Sequence, residues 1–365
     1  MKRGMMDTRR VLAAIVATVS LAGASVLAQN NQQPNNPPQN RRDQEKRSQQ
    51  EQRDIQALVQ MVDAVSTGKQ PAPTEVPVTW TANHFVKGAA DATYIPFTVT
   101  IDGSKLAAPG VALYVRAVAK GAPAPAPAAQ QGNNNRDRDQ QQAAPTYPWD
   151  DIQFLDVPSG GNVSRALMLK PGEYELFVGV KEKTPQQQQR NAPPQKVGLL
   201  RHTLTVPNFS GPDITISTPI IADAVEPLTT PLNAEELRAN PYTFGGTLKV
   251  TPAADATLKA ADDFQLLFWI YGVQDNNGVP DVQIEYNFHH KTAEGEKFFN
   301  KTQPQVINQS TLPPGFNIKA GHQVLGFLGV PLKSFPAGEY RAEIKITDKL
   351  SGKMLTHNAT FTVQA

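Results

Sequence analysis

The amino-acid sequence predicts a mostly β protein in which two tandem antiparallel β-sandwiches follow a disordered polar tether and a short helix. Three observations lead to this fold class. From residue 76 onward, apolar and polar residues alternate in short runs, which is the period of half-buried strands. The tripeptide Gly-Glu-Tyr occurs at 172–174 and again at 338–340, each time at the start of an alternating run. The 365 residues are enough for about two domains.

Residues 1–28 are predicted to be a secretory signal peptide. The basic start "MKRGMMDTRR" precedes an uncharged apolar stretch that ends in the small-residue pattern of a cleavage site at Ala28. The alternative is an uncleaved membrane anchor, because 18 apolar residues reach the lower limit of a membrane span. After cleavage we expect no membrane span.

Charge and cysteine content narrow the class of protein. The signal peptide contains four basic residues and one acidic residue, so the rest of the chain carries 31 basic and 32 acidic residues. This balance argues against a nucleic-acid partner. The chain has no cysteine, so it forms no disulfide and has no site for a lipid anchor. We therefore expect a bacterial periplasmic or extracellular protein that is stabilised by core burial alone.

The polar segment 29–54 contains almost no apolar residue and is predicted to be a disordered tether. Apolar residues then recur at helical spacing from Ile55 to Val65, which predicts an amphipathic helix over 55–68 that ends near Gly68. A lone helix of this length is marginal in water. We expect it to pack on the domain that follows; the alternative is that it binds a partner.

The strand patterns divide into two sets. The first, 74–208, is interrupted by two low-complexity polar tracts, 121–148 and 184–195, which are predicted to be dispensable surface insertions. The second, 209–365, includes a connecting loop at 226–241 with one short helical turn. It also contains "FQLLFWIYGV" at 264–273, a continuous apolar run that predicts a strand buried on both faces.

The repeated tripeptide assigns a fold to both sets. Tyr174 and Tyr340 each begin a strand that is followed by a turn and a last strand. In immunoglobulin-like sandwiches, a tyrosine near the start of the penultimate strand bonds back to the upstream backbone and forms a tyrosine corner. We predict that both tyrosines have this structural role, and that Trp269 is the core tryptophan of the second sandwich.

The second set also resembles a known group of proteins. The segments 214–225, 245–273 and 282–288 resemble the β-sandwich region of uncharacterised exported bacterial proteins, some of which carry a GWxTD motif. The present chain lacks the Gly-Trp pair of that motif. The resemblance implies a β-sandwich and assigns no activity.

No motif for catalysis, metal binding or a cofactor stands out. His289 and His290 are adjacent in a predicted strand and therefore point to opposite faces. The sequence "DNNG" at 275–278 lacks the ligand pattern of a calcium loop and is predicted to be a hairpin turn. A G-x-S-x-G elbow and phosphate loops are absent. We expect no enzyme activity, no metal and no cofactor.

Tyr147 and Trp149 are the candidate ligand-binding residues. They follow the first polar tract and flank Pro148, so they are candidates for an exposed aromatic platform. The alternative is that Trp149 only caps the strand that follows.

The sequence as a whole predicts an exported, non-catalytic protein that binds or scaffolds envelope or extracellular proteins. A carbohydrate-binding module that takes a polysaccharide and a hydrolase with residues brought together only by folding are the alternatives.

Overall fold

A computed structural model of the protein describes residues 49–121, 147–185 and 193–364. The predicted signal peptide, the tether up to residue 48 and most of the two polar tracts lie outside these ranges. The predicted fold class is confirmed: a helix precedes two antiparallel β-sandwiches, which follow one another along the chain. Neither helix in the described ranges has the length and hydropathy that crossing a membrane requires.

The first helix, α1 (Gln49–Ser66), packs on the first sandwich. Its buried face is formed by Leu58, Val62 and Val65, which lie on one side of the helix because they are separated by three or four residues. Gly179 in the sheet below allows the close approach, since a Cβ atom there would lie 3.3 Å from the side chain of Leu58. The helix starts six residues before the predicted Ile55, so the predicted tether is wrong over 49–54.

The first sandwich consists of two four-stranded sheets. Its strands are β1 (Val78–Asn83), β2 (Val86–Lys87), β3 (Thr93–Ile101), β4 (Gly110–Ala119), β5 (Trp149–Asp156), β6 (Asn162–Leu169), β7 (Gly172–Glu182) and β8 (Val197–Val206). In one sheet β3 pairs with β1, β2 and β6, and the other sheet has the order β5-β4-β7-β8. Alternating residues of both sheets fill the core between them, while α1 covers the outer face of the second sheet.

The second sandwich has two larger sheets and a small hairpin. Its strands are β9 (Thr215–Ile216), β10 (Ile220–Pro227), β11 (Thr243–Phe244), β12 (Leu248–Pro252), β13 (Thr257–Lys259), β14 (Asp263–Tyr271), β15 (Asp275–Asn276), β16 (Val279–Pro280), β17 (Val282–Thr292), β18 (Gly295–Lys301), β19 (Gln305–Ile307), β20 (Val324–Pro331), β21 (Gly338–Asp348) and β22 (Met354–Gln364). One sheet has the order β11-β12-β10-β14-β20, with β9 beside β14. The other has the order β13-β22-β21-β17-β18, with β19 beside β17. The second helix, α2 (Ala234–Ala239), lies between β10 and β11 and is capped by Asn233.

The strand β14 is buried on both faces. Phe264, Leu266, Phe268 and Ile270 point into the core of the second sandwich. Its alternate residues, Leu267, Trp269 and Tyr271, point outward into a cluster that also contains Val86 and Tyr94 of the first sandwich. Trp269 is therefore buried between the two sandwiches, and the expectation that it lies in the core of its own sandwich is wrong. The parity of its position in β14 places it on the outer face.

Hydrogen bonds accompany this apolar contact between the sandwiches. The connections are Tyr94 Oη to Pro241 O at 2.7 Å, His84 Nδ1 to Tyr242 Oη at 2.9 Å, and Lys87 N to Tyr271 Oη at 3.0 Å. Each tyrosine thus buries its ring and satisfies its hydroxyl group in the same contact. Burial of the His84 imidazole lowers its pKa to about 4.

Tyr174 and Tyr340 occupy equivalent positions at the start of β7 and β21. The hydroxyl group of Tyr174 donates to Lys170 O at 2.9 Å, and that of Tyr340 donates to Pro336 O at 2.8 Å. Both rings are buried. This four-residue return to the upstream backbone is the geometry of a tyrosine corner.

Candidate protein-interaction surface

Tyr147 and Trp149 lie on opposite faces of one sheet. The Tyr147 ring is buried, with the Arg116 guanidinium carbon 3.8 Å from its centroid. Trp149 pairs with Ala117, the neighbour of Arg116 in β4, and packs against the core of the first sandwich. Arg116 and Ala117 are neighbours in β4, so their side chains point to opposite faces of the sheet. Tyr147 lies on the Arg116 side and Trp149 on the Ala117 side, so the two aromatic rings cannot form one platform. The prediction of a joint binding surface is wrong.

Trp149 does line a small cleft between β5 and β6. The cleft also contains Asp151, Gln153 and Arg165, and its volume is about 10 Å³, which is room for one water molecule. Its polar groups bond to one another: Arg165 Nε donates to Gln153 Oε1 at 2.6 Å, and Gln153 Nε2 donates to Asp151 Oδ2 at 2.6 Å. The cleft is too small for a sugar ring and offers little free hydrogen-bonding capacity.

A buried ionic cluster holds α1 on the first sandwich. Asp54 is 2% exposed and accepts hydrogen bonds from Lys181 Nζ at 2.6 Å and Thr184 Oγ1 at 2.7 Å. Burial alone would raise the pKa of Asp54, but the hydrogen bonds from Lys181 and Thr184 hold it below its ordinary value. Nine residues further along the helix, about two and a half turns, Asp63 pairs with the buried Arg116. These charges are compensated by each other and serve to orient the helix.

The histidines do not converge on a metal site. His290 points inward and stacks on Tyr340, with ring centroids 4.5 Å apart, whereas His289 points outward. Over the described ranges, no group of three or more histidine, aspartate or glutamate side chains has an arrangement that could hold a metal ion. The "DNNG" segment forms a hairpin turn between β15 and β16, with positive φ angles at Asn277 and Gly278.

One outer sheet face is not covered by another part of the described chain. The helix α1 covers the outer face of the sheet β5-β4-β7-β8. The outer face of the β14 sheet packs against part of the β3 sheet of the first sandwich. The outer face of the sheet β13-β22-β21-β17-β18 instead presents polar and charged side chains that are exposed or half-buried. A surface for a partner is therefore available on the second sandwich.

An exposed aromatic residue marks one margin of this face. Phe298 in β18 is 59% exposed, and the ring of His289 lies edge-on to it with centroids 5.9 Å apart. Beside them, Arg341 Nε lies 3.0 Å from both carboxylate oxygens of Glu296. The hydrogen bond from Arg341 lowers the pKa of Glu296 and keeps it charged. We call these four residues, His289, Glu296, Phe298 and Arg341, the Phe298 patch.

The residues predicted from the sequence as binding residues do not include this patch, although the sequence contains one signal for it. Phe298 and Phe299 are adjacent in a strand, so one of the two rings has to point away from the core. Phe299 takes the inner position and packs against Phe335, with ring centroids 4.9 Å apart. Phe298 is consequently left on the solvent side.

Comparisons with known proteins show only a weak structural likeness. No family model matches the chain, and no curated protein matches it. Trypsin-activated alpha-2-macroglobulin from Escherichia coli matches with 9% identity over 80% of this chain and 17% of that chain, with a TM-score of 0.22. A point mutant of Salmonella alpha-2-macroglobulin matches with 11% identity over 80% and 17%, with a TM-score of 0.19. The native conformation of the E. coli protein matches with 9% identity over 81% and 16%, with a TM-score of 0.20.

The chain therefore spans about a sixth of the length of these macroglobulins. Identity and TM-scores at this level assign neither an activity nor a partner to it.

Proposed function

We propose that the protein is an exported, non-catalytic binding or scaffolding protein of the bacterial cell envelope, and that its second sandwich binds a partner protein through the Phe298 patch. The exposure of Phe298 on the open sheet face is the observation that carries this proposal. A periplasmic or extracellular location is supported by the signal-like sequence of residues 1–28 and the lack of cysteine.

The chemistry of the patch favours a protein partner. Protein interfaces are enriched in aromatic residues, phenylalanine included, and in arginine, and they have a polar rim; the patch contains a phenylalanine and an arginine beside polar side chains. The charges on this face are compensated locally, because Arg341 pairs with Glu296, Lys291 with Glu339 and Lys345 with Glu343. The face therefore has no excess of positive charge to attract a polyanion.

The alternatives gain less support from the described residues. A carbohydrate-binding module needs an accessible aromatic platform, and Tyr147 and Trp149 do not form one. A hydrolase needs titratable groups that converge in a cleft. The cleft at Trp149 has room for about one water molecule.

A comparison of two exposed side chains on the same sheet tests the proposal. Phe298 is 59% exposed in β18, and Met354 is 67% exposed in β22 at the opposite side of the sheet. The purified protein, Phe298→Ala and Met354→Ala would each be used to capture proteins from envelope extracts, with identification by mass spectrometry. We expect a protein captured by the wild type and Met354→Ala to be reduced at least about tenfold with Phe298→Ala, the effect of losing a hot-spot side chain.

Equal capture by all three proteins would contradict the proposal. Far-ultraviolet circular dichroism and a thermal melt of each variant would show that the fold is intact, because both side chains are mainly in solvent and neither truncation removes core contacts. Hydrolysis of a general ester or peptide substrate by the purified wild type would favour the enzyme alternative instead.

A further inference from the structure

The turn between β15 and β16 contains the only Asn-Gly pair of the chain, Asn277-Gly278. Because Asn276 pairs with Val279, these two residues alone form the loop of the hairpin. Their φ angles are 54° and 86°, and two positive φ angles in a two-residue loop indicate a type I′ turn. The side chain of Asn277 is exposed, whereas Gly278 is buried.

An Asn-Gly pair can modify itself. The main-chain nitrogen of the glycine attacks the side-chain carbonyl carbon of the asparagine, and the lack of a Cβ atom on glycine leaves this approach open. The nitrogen loses its proton to solvent, the new C–N bond closes a succinimide ring, and the side-chain amide leaves as ammonia. Water then opens the ring at either carbonyl and gives aspartate or β-linked isoaspartate. The reaction consumes only water.

In the folded protein, the nitrogen that has to attack is held by Asp275. Gly278 N donates a hydrogen bond to Asp275 Oδ1 at 2.6 Å, and Lys319 Nζ lies 3.0 Å from the same oxygen. The hydrogen bonds from Lys319 and Gly278 lower the pKa of Asp275, so its carboxylate is charged at neutral pH. A negative charge that accepts this hydrogen bond opposes removal of the proton from the nitrogen.

The neighbouring residues keep the turn closed. Gly278 O accepts a hydrogen bond from Ile318 N at 2.9 Å, and a Cβ atom at position 278 would lie 2.1 Å from Asn317 Oδ1. A type I′ turn sets ψ of its first loop residue near about +30°, which directs the Asn277 side chain away from Gly278 N. Ring closure therefore requires rotation about the Cα–C bond of Asn277, and this rotation moves Gly278 away from its contacts.

We propose that Asn277 is a site of spontaneous deamidation, and that Asp275 is the positioning residue that keeps it in the amide form while the turn is closed. Conversion then proceeds from the open turn, which is a local opening of the hairpin. Isoaspartate adds an atom to the backbone of a two-residue loop and places a second negative charge near Asp275. The modified turn cannot regain its contacts, so the modification records opening of this hairpin.

The wild type alone gives the first test. The purified protein would be incubated at mildly alkaline pH in buffer and in concentrated urea, then digested. Mass spectrometry and chromatography of the peptide that contains residue 277 would separate asparagine, aspartate and isoaspartate. We expect conversion to be at least about tenfold slower in buffer than in urea, because the open turn is a minor population of the folded protein.

The second test removes the carboxylate. Folded Asp275→Ala should convert about tenfold faster than the wild type, the effect of losing a hydrogen bond to a charged group. Asp275→Asn keeps an uncharged acceptor and should have an intermediate rate. The matched control is Asp255→Ala, which removes a similar contact, from Thr257 N to Asp255 Oδ1 at 3.0 Å, in a turn that has no Asn-Gly pair. This control should leave the rate at Asn277 unchanged.

In urea all four proteins should convert at the same rate, which would show that the substitutions act through the folded turn. Circular dichroism and thermal melts would show that each variant is folded in buffer. If Asp275→Ala has lost its melting transition, the rate of Asp275→Asn decides in its place.

Equal rates for the wild type in buffer and in urea would overturn the proposal. An unchanged rate in folded Asp275→Ala, or an equal acceleration in Asp255→Ala, would overturn the role given to Asp275.

Discussion

The two sandwiches share an internal plan and differ in what covers them. In both, a tyrosine at the start of the penultimate strand donates a hydrogen bond to a backbone carbonyl four residues upstream. The first sandwich is covered by α1, which packs through an apolar face and two ion pairs, one of them buried. The second is covered on one face by the first sandwich and leaves its other face open. The repeated sequence thus specifies the interior of each unit. The outer faces, which carry different residues, decide which contacts each unit makes.

The largest effect that this comparison predicts concerns the two tyrosine corners. The Tyr340 ring stacks between His290 and Phe361, with centroid distances of 4.5 and 5.3 Å. No aromatic ring contact to Tyr174 is present within the described residues. Tyr340→Ala should therefore lower the free energy of unfolding by about 3–5 kcal/mol, and Tyr174→Ala should lower it by less. Denaturant unfolding of each variant measures the difference.

Substitution by phenylalanine separates the hydrogen bond from the ring. Tyr340→Phe and Tyr174→Phe both leave a backbone carbonyl without its partner and should each cost about 1–3 kcal/mol. If Tyr340→Phe leaves the melting temperature unchanged and weakens partner binding instead, the tyrosine is a recognition residue and the structural assignment is wrong.

Sequence reasoning could find the interior of the sandwiches because the interior follows local periodicity. The alternation in β7 and β21 and the continuous apolar run in β14 are enough to identify buried strands, and the repeated Gly-Glu-Tyr is enough to align the two units. The environments of Trp269 and Tyr147 depend on contacts that are distant in sequence. Trp269 packs beside Phe244, and Tyr147 lies under Arg116. Neither partner can be recognised from the pattern around the aromatic residue.

The second prediction concerns the ion pair that covers the first sandwich. Asp54→Asn leaves the buried Lys181 without its counter-charge and should destabilise the protein by about 3–5 kcal/mol. The double variant Asp54→Asn/Lys181→Met removes both charges and should recover part of this loss. The control is Glu175→Gln, which breaks the exposed pair with Arg201 and should cost less than about 1 kcal/mol. Equal losses for Asp54→Asn and Glu175→Gln would show that α1 is held by its apolar face alone.

The same pair predicts a dependence on acid. The pKa of Asp54 in the folded protein lies below its ordinary value of 3.8, so its contribution to stability is complete above that pH. The contribution is lost as the pH falls through the folded pKa.

The third prediction concerns the contact between the two sandwiches. The pKa of His84 falls from 6.5 to about 4 because of burial, so below pH 6.5 the unfolded chain binds a proton that the folded chain does not. The stability contributed by neutral His84 is therefore complete above that pH and is lost as the pH falls toward about 4. The shift in pKa corresponds to roughly 3 kcal/mol of stability.

His84→Gln cannot titrate, and its unfolding free energy should fall less than that of the wild type between pH 6.5 and about 4. Parallel pH profiles of the two proteins would show that His84 does not contribute.

The smallest effect is expected where the two polar tracts interrupt the first sandwich. The structure shows that less of each tract can be removed than the sequence predicts, because Tyr147 contacts Arg116 and Thr184 donates a hydrogen bond to Asp54. The predicted bounds 121–148 and 184–195 each include one of these structural residues. Replacing only 122–146 and 186–192 with short Gly-containing turns should change the free energy of unfolding by less than about 1–2 kcal/mol, since each doubling of a closed loop costs only about 0.6 kcal/mol. Replacing the full predicted tracts should cost more, because it removes the ring beneath Arg116 and a hydrogen-bond donor to Asp54.

Denaturant melts of the two replacement pairs measure this difference in the free energy of unfolding. Equal stability would show that the two contacts do not help to hold α1, whereas loss of cooperative unfolding in the shorter replacement would show that the tracts belong to the fold.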